Sequence, residues 1–232
     1  MDYSQQEPRL LVHYAKKHDL EGADDMVKFF DDGKDFHQVT AEMAGISRKE
    51  AKTVGLSLMY GQGTKALAGK LESTEEEALD LKKKYNSNVS FLKSIMNKAT
   101  RHAEQQGYIN TLLGRKCRFN LWTNRDWSDK RIMMYENATK EWSWNNIQRA
   151  GTYKALNRII QGSAADQTKT AMVNLRKQVG VIPMIQIHDE LNVSIANETQ
   201  VKEIKEIMET AVELHVPVKC EVKIGKNWGE AE

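Results

Sequence analysis

Residues 182–196, IPMIQIHDELNVSIA, decide the fold class of this chain. The stretch is rich in isoleucine and valine, and apolar and polar residues alternate in its second half. This pattern predicts a β-hairpin with His188, Asp189 and Glu190 at the tip. A second alternating stretch, VPVKCEVKIG at residues 216–225, predicts the last strand of the chain.

Helices are predicted upstream of these strands, an order that is typical of the α+β class. Ser47 and Glu50 form a capping box, which predicts a helix from Arg48 to about Tyr60. The same signal at residues 73–76 predicts a helix over TEEEALDLKKKY. The other predicted helices cover residues 89–106, 148–177 and 197–214, and a hairpin is predicted over 108–112 and 115–119.

Composition narrows the classes of protein to consider. The chain has 232 residues, with 34 Lys and Arg against 32 Asp and Glu, so its net charge neither indicates nor excludes an anionic partner. Cys117 and Cys220 match no metal-binding spacing and make no disulfide framework, which is typical of a reducing compartment. No apolar run approaches the ~20 residues that span a bilayer, and the N-terminus is too polar for a signal peptide. We therefore expect a cytoplasmic protein.

One face of the helix predicted from residue 48 carries Arg48, Lys52, Leu56 and Tyr60, which are spaced by four residues. Two cations are followed by an apolar side chain and a phenol, a row that suits the phosphates, sugar and base of a nucleoside triphosphate. A charged row on a helix is more often a solvated face, and acids at a hairpin tip are common turn formers. Local sequence alone leaves both interpretations open.

Further motifs give these residues a context. DYSQQEPR at residues 2–9 and QIHDEL at residues 186–191 resemble the two carboxylate motifs of the family A DNA polymerases, the DNA polymerase I superfamily. Arg48, Lys52, Tyr60 and Gly61 match the spacing of that family's fingers helix. Four more motifs follow the family's order: DFHQVTA (35–41), GYINTLLGRK (107–116), NRIIQGSAAD (157–166) and VPVKCEVKIGKNW (216–228).

The resemblance implies the palm and fingers of a right-hand polymerase, with an antiparallel palm sheet, helical fingers and no thumb. It assigns residues 1–30 to the first part of the palm, 31–150 to the fingers and 151–232 to the second part of the palm. We expect one half of a split enzyme, with thumb and exonuclease on a separate polypeptide, or else a fragment. The resemblance does not cover residues 120–145, which hold four of the five tryptophans, so their role is open.

For the acids, the resemblance implies a shared metal site. Asp2 and Asp189 match the aspartates that hold two Mg²⁺ ions, with the carbonyl oxygen of Tyr3 as a further ligand, and hard oxygen ligands suit magnesium. The implied reaction joins a deoxynucleoside triphosphate to a primer 3′-hydroxyl and releases pyrophosphate. Glu190 is implied as a supporting carboxylate, with a structural role as the alternative, and Lys52 as the donor of a proton to pyrophosphate.

The resemblance also implies nucleotide contacts. His37, Arg48 and Lys52 match triphosphate-binding positions. Tyr60 matches the position that checks the template and nascent base pair. Glu7 matches the residue that excludes a 2′-hydroxyl from the sugar pocket, which points to deoxynucleotides.

Contacts to a DNA primer-template are implied for a further group. Asn157 and Gln161 match positions that reach the minor groove, where acceptors common to all base pairs permit sequence-independent contact. His188 matches a residue that places the primer end, although it also admits a structural role. Arg115 is either a phosphate contact or an ordinary exposed arginine.

Three positions depart from the family's pattern. Leu56 stands where phenylalanine or tyrosine is usual, which puts dideoxynucleotide handling in doubt and is typical of viral members. Gln6 replaces an aliphatic residue and Tyr153 replaces an arginine, which puts fidelity and primer contact in question. We therefore expect a phage-type enzyme, in the cytoplasm of a bacterial or phage-infected cell.

Two rival functions stay open. A single-subunit RNA polymerase shares a similar fingers helix, but it needs room for the 2′-hydroxyl that Glu7 would exclude. A catalytically idle DNA-binding or replisome assembly module would keep the fold without the chemistry. The sequence retains Asp2, Asp189, Arg48 and Lys52, which weighs against an idle module, because a pair of neighbouring carboxylates is destabilising and an idle module has no use for it.

Overall fold

The chain folds into a helical body with three small antiparallel sheets, and a computed structural model describes residues 1–126 and 128–231. Trp127, within the tryptophan-rich stretch, lies outside the described residues. The strands are β1 (Asp2–Tyr3), β2 (Tyr108–Asn110), β3 (Lys116–Arg118), β4 (Leu121–Asn124), β5 (Ile132–Met134), β6 (Ile147–Arg149), β7 (Ile185–Ile187), β8 (Glu190–Asn192) and β9 (Cys220–Glu221). The helices are α1 (Gln6–Lys17), α2 (Ala23–Asp31), α3 (Phe36–Ala44), α4 (Arg48–Met59), α5 (Thr64–Leu71), α6 (Glu75–Asn88), α7 (Leu92–Gln106), α8 (Tyr135–Glu141), α9 (Ala155–Val179) and α10 (Glu198–Glu209).

The main sheet joins the two ends of the sequence. Its strand order is β7-β8-β1-β9, and β1 pairs antiparallel with both β8 and β9. The predicted hairpin is confirmed, since β7 and β8 pair and His188 and Asp189 form the turn between them. His188 has φ of 54°, a left-handed conformation that a two-residue hairpin turn demands.

The capping box at Ser47 is confirmed, and α4 begins at Arg48 as predicted. The predicted capping box at residues 73–76 is wrong by one position. Thr74 is the N-cap, and its hydroxyl accepts a hydrogen bond from the Glu77 backbone N–H at 3.2 Å. Three consecutive glutamates allow either alignment in the sequence, and packing of Ala78, Leu81 and Tyr85 in the core selects the later one.

Several boundaries differ from those predicted. Residues 147–149 are strand β6 instead of the start of a helix, because they pair with β4 before Gly151 turns the chain at φ of 73° into α9. Helix α10 ends at Glu209 and strand β9 spans only two residues, and both are shorter than predicted. Helices α2, α3, α5 and α8 and strands β4 and β5 were not predicted.

Two hydrophobic cores hold the elements together. The larger lies among α1 to α7 and the start of α9, with Leu10, Phe30 and Tyr85 fully buried. The smaller packs α9 and α10 against the main sheet and includes Tyr3 and Leu191. Among the described residues, no helix is long and apolar enough to cross a membrane.

Because neighbouring residues of a strand point to opposite faces, the orientation of Tyr3 fixes that of Asp2. Tyr3 is buried in the smaller core, and its hydroxyl donates a hydrogen bond to the Met208 carbonyl at 2.8 Å. Asp2 therefore lies on the other face of the sheet, away from that core.

The alignment of the second capping box is testable. Thr74→Ala is expected to lower the free energy of unfolding by about 1 kcal/mol, because it leaves the Glu77 N–H without an acceptor. Ser73→Ala is the matched control and is expected to change it by less than about 0.5 kcal/mol. Urea denaturation of both variants measures this, and a larger loss at Ser73 would contradict the observed alignment.

Candidate active site

Strand pairing brings together two acids that lie 187 positions apart in the sequence. The Tyr3 N–H donates to the Asp189 carbonyl at 3.4 Å, and Asp2 lies opposite Glu190 in the β1–β8 register. The Leu191 N–H donates to the Met1 carbonyl at 2.8 Å, which fixes the same register. Asp2, Asp189 and Glu190 therefore form one acidic cluster at the end of the main sheet where the β7–β8 hairpin turns, on its two inner strands β1 and β8.

Burial and mutual repulsion make this cluster a poor place for negative charge. Burial, followed by the charges of Asp189, Glu190 and Glu221, raises the pKa of Asp2 from 3.8 to about 6. Burial also raises the pKa of Asp189. One carboxylate oxygen of Asp2, Oδ1, is buried and has no hydrogen-bond partner among residues 1–126 and 128–231. The charge of Lys52 offsets only part of the unfavourable environment of Asp2.

These acids fit a hard cation. Within residues 1–126 and 128–231, no three His, Cys, Asp or Glu side chains gather into a ready-made metal site. Two neighbouring carboxylates with an unpartnered buried oxygen are nevertheless a suitable donor set for Mg²⁺ when backbone carbonyls or water complete the coordination. Asp2, Asp189 and the Tyr3 carbonyl stay the predicted ligands.

Helix α4 directs a cation toward the acidic cluster. The charge of Lys52 lowers the pKa values of Asp2, Asp189 and Glu7, so its ammonium group lies within electrostatic range of all three carboxylates. Lys52 is exposed, whereas Leu56, one turn further along, is half-buried against the larger core. Lys52 is therefore exposed to solvent and within electrostatic range of the acidic cluster, whereas Leu56 on the same face packs against the larger core.

Arg48, at the start of α4, is held by an acid that the sequence analysis missed. Its Nη2 atom lies 2.6 Å from Asp35 Oδ2, and its Nε atom donates to the same oxygen at 3.0 Å. The other oxygen of Asp35 caps α3 by accepting from the His37 N–H at 2.8 Å. Burial opposes ionisation of Asp35, but the hydrogen bonds from Arg48 and the backbone lower its pKa. Asp35 thus orients Arg48 and His37 together.

His37 is buried and uncharged at neutral pH. Burial, followed by the charges of Lys52 and Arg48, lowers its pKa to about 4, although Asp35 opposes the shift. Its Nδ1 atom has no hydrogen-bond partner in the part of the chain that the structure describes. His37 can therefore offer a neutral hydrogen-bonding group beside two cations, and a phosphate contact through it stays a prediction.

Glu7 on α1 and Tyr60 at the end of α4 are neighbouring side chains. Burial raises the pKa of Glu7, and burial together with the Glu7 charge raises that of Tyr60. The buried Tyr60 hydroxyl lies beside the Glu7 carboxyl without a well-formed hydrogen bond. Both side chains thus keep polar atoms available to a third group at this point.

The other residues that the sequence analysis assigned to the site lie at the β7–β8 hairpin and on or beside α9. His188 is exposed at the hairpin tip, where its charge acts on Glu7 and Asp189. The Glu190 carboxylate accepts a hydrogen bond from the Asn192 side chain at 3.0 Å.

Asn157 and Gln161 lie on α9, about one turn apart. Asn157 is half-buried and Gln161 is exposed. Arg115 belongs to this second group, and its guanidinium Nη2 lies 2.9 Å from Asp166 on α9.

Two further residues that support the site had no assigned role in the sequence analysis. The buried Arg9 donates to the Ser4 carbonyl at 2.9 Å and to the Pro217 carbonyl at 2.6 Å, which ties α1 to the segment before β9. Gln5 has φ of 55°, and its side-chain oxygen accepts from the Phe36 N–H at 2.7 Å. An arginine inside an apolar helical run was the available signal for Arg9.

Comparison with known proteins identifies the family of this chain. The family model described as DNA polymerase family A matches residues 1–230. The chain belongs to DNA polymerase family A. This family A chain is 33% identical to a DNA-directed DNA polymerase of Pseudomonas phage M6, over 99% of its own length and 38% of the phage protein.

Cellular relatives match over the same extent. DNA polymerase I of Thermus thermophilus is 31% identical over 100% of this family A chain and 27% of its own length. The POL domain of Pol1 from M. smegmatis, solved in complex with DNA primer-template and dNTP, superposes with a TM-score of 0.76 at 27% identity. That match covers 99% of this chain and 39% of the solved chain. The family A chain thus spans well under half the length of these relatives.

The strain in the acidic cluster predicts a stability change. Asp2→Asn is expected to raise the free energy of unfolding by about 1 to 2 kcal/mol at pH 7.5 in EDTA, an effect limited by water around the half-buried side chain. The folded wild type keeps the Asp2 proton up to about pH 6, whereas an unfolded aspartate releases it near pH 3.8. The free energy of unfolding of the wild type therefore falls as the pH rises from about 4 to 6, and the full loss is present above pH 6. The difference between Asp2→Asn and the wild type shrinks as the pH falls through the same range. Urea denaturation at pH 7.5 and pH 4 measures it, and a difference independent of pH would contradict this account.

Proposed function

We propose that this chain is the palm-and-fingers part of a template-directed DNA polymerase, which extends a primer 3′-hydroxyl with deoxynucleoside triphosphates. The observation that carries the proposal is the pairing of β1 with β8, which sets Asp2 beside Asp189 while Lys52 faces both. Membership of DNA polymerase family A supports the same reaction. Residues 1–30 and 151–232 form the palm, and residues 31–150 form the fingers.

Asp2, Asp189 and the Tyr3 carbonyl are the proposed ligands of two Mg²⁺ ions. When bound, these ions lower the pKa of the primer 3′-hydroxyl and offset the negative charge of the phosphates. The chain contributes the orientation of the ligands, since β1 is hydrogen-bonded on both sides and cannot shift alone. Glu190 supports the site from the adjacent strand.

The cationic side chains of α4 bind the triphosphate of the incoming nucleotide. Arg48, oriented by Asp35, and the neutral His37 contact its phosphates, and Lys52 donates a proton to the leaving pyrophosphate. Leu56 packs beside the nucleotide, and Tyr60 lies at the nascent base pair. Asn157, Gln161, His188 and Arg115 contact the primer-template, with Arg115 held in place by Asp166.

A separate polypeptide carrying the thumb and exonuclease stays a prediction. Addition of such a polypeptide is expected to raise the rate or processivity of primer extension by this chain. A polypeptide that neither binds the chain nor changes extension would contradict it.

The central prediction concerns primer extension. With MgCl₂ present, the chain is expected to extend a labelled primer. Asp189→Asn is expected to lower the rate of extension roughly 1,000-fold or more, because a metal-binding carboxylate is lost. Extension that is unaffected by Asp189→Asn would contradict the proposal. Salt-sensitive DNA binding without any extension would favour the idle binding module.

The role of Lys52 has a matched control on the same helix. Lys52→Ala is expected to lower kcat roughly 100-fold, as for loss of a general acid. Lys49→Ala removes an exposed ammonium group three residues earlier on α4, about 60° from Lys52 around the helix axis, and is expected to leave kcat within about twofold. Single-turnover extension measures both, and equal losses would reduce Lys52 to a general electrostatic contribution.

A substitution at Glu7 distinguishes the proposed DNA polymerase activity from that of an RNA polymerase. Glu7→Ala is expected to raise ribonucleotide incorporation relative to deoxynucleotide incorporation by roughly tenfold or more, because it opens space beside the sugar. The ratio of kcat/KM values for a ribonucleotide and its deoxynucleotide measures the change. A wild-type preference for ribonucleotides would contradict the proposed substrate class.

A further inference from the structure

A cavity of about 390 Å³ lies in the tryptophan-rich part of the chain and shares no lining residue with the acidic cluster. Its walls come from β4, β6, α8 and the end of α7. This is the segment that the family motifs leave without a role. The principal lining side chains are Trp122, Arg125, Tyr135, Trp144 and Arg149, with Glu104 as an acidic member.

Two of the three aromatic residues that line the cavity, Tyr135 and Trp144, are exposed to solvent, and Trp122 is half-buried. The rings of Trp122 and Tyr135 lie 5.0 Å apart between centroids, in a tilted arrangement. The Trp144 side chain is 73% exposed and Tyr135 is 47% exposed. Large aromatic groups gathered in an open cavity are typical of a binding surface.

Two arginines supply positive charge beside these rings. The Arg149 guanidinium lies 4.7 Å from the Trp122 ring centroid and donates to the Phe119 carbonyl at 2.9 Å. Arg125 donates to the Ile147 carbonyl at 3.5 Å. In the described part of the chain, neither arginine forms an ion pair with a carboxylate, so their charge is available to an anion.

We propose that this cavity binds an unpaired deoxynucleotide of single-stranded DNA, an inference that rests on the proposed polymerase function. The base stacks on Trp144 and Tyr135, and the neighbouring phosphates lie against Arg125 and Arg149. Exposed aromatic rings with adjacent cations are the combination by which proteins hold single strands without sequence preference. The cavity is large enough for one nucleotide.

The connection of the cavity to α9 places this site near the proposed duplex contacts. Arg149 ends β6, and Asn157 on α9 follows eight positions later. Eight residues reach at most ~28 Å even when fully extended, and part of this stretch is already helical. A strand leaving the duplex can therefore enter the cavity within a few nucleotides.

The experiment compares the affinity of the full chain for matched DNA molecules. One is a blunt duplex, the second carries a 5′ overhang on the template strand, the third carries the same overhang without bases, and the fourth carries a displaced 5′ flap. Trp144→Ala removes the most exposed ring of the cavity, so the fold should be unaffected. Trp228→Ala, at an exposed tryptophan outside the cavity, is the matched control.

The wild type and Trp228→Ala are expected to bind an overhang or a flap roughly tenfold more tightly than the blunt duplex, as for stacking of one base. Trp144→Ala is expected to lose that gain while its affinity for the blunt duplex is unchanged. Removal of the bases from the overhang should abolish the gain for the wild type. The substrate that responds to Trp144→Ala, overhang or flap, identifies the strand that is bound.

A gain that persists in Trp144→Ala would overturn the inference, as would the absence of any gain in the wild type. These outcomes are distinguishable from failure of the proposed function. Primer extension without any overhang gain contradicts the inference alone. A Trp144-dependent gain without primer extension contradicts the polymerase proposal alone.

Discussion

The central position of β1 is the constraint on which the rest of the structure depends. This strand has only two residues, yet it is hydrogen-bonded on one side to β8 and on the other to β9. Both partners come from the last fifth of the chain, so the sheet closes only when sequence-distant segments meet. Asp2 and Asp189 therefore share a site only in the folded chain.

Alternation along β1 assigns opposite tasks to two adjacent residues. Tyr3 packs into the smaller core and bonds to α10, which stabilises the sheet. Asp2 lies on the opposite face, where burial and neighbouring acids disfavour its ionised form. Stabilisation on one face of the strand thus offsets the strain on the other, and Lys52 on α4 supplies part of the missing positive charge. Functional sites commonly retain such strain.

The sequence predicted features that depend on local chemistry. The β7–β8 hairpin and the start of α4 follow from alternation and a capping box, and the structure confirms both. It could not predict β6, because the pairing of that strand with β4 is a tertiary contact that no local pattern records. Asp35 was missed for a similar reason. Its role depends on Arg48, which is thirteen positions away and adjacent only in the fold.

The most direct test of the account is a double-mutant cycle on cation affinity. Mn²⁺, which can replace Mg²⁺ and is visible by electron paramagnetic resonance, is titrated into the wild type, Asp2→Asn, Asp189→Asn and the double variant. If β1–β8 pairing makes the two carboxylates ligands of one site, each single change should weaken binding nearly as much as both together. Independent, additive losses would show that the two aspartates bind separate ions, and would contradict the account.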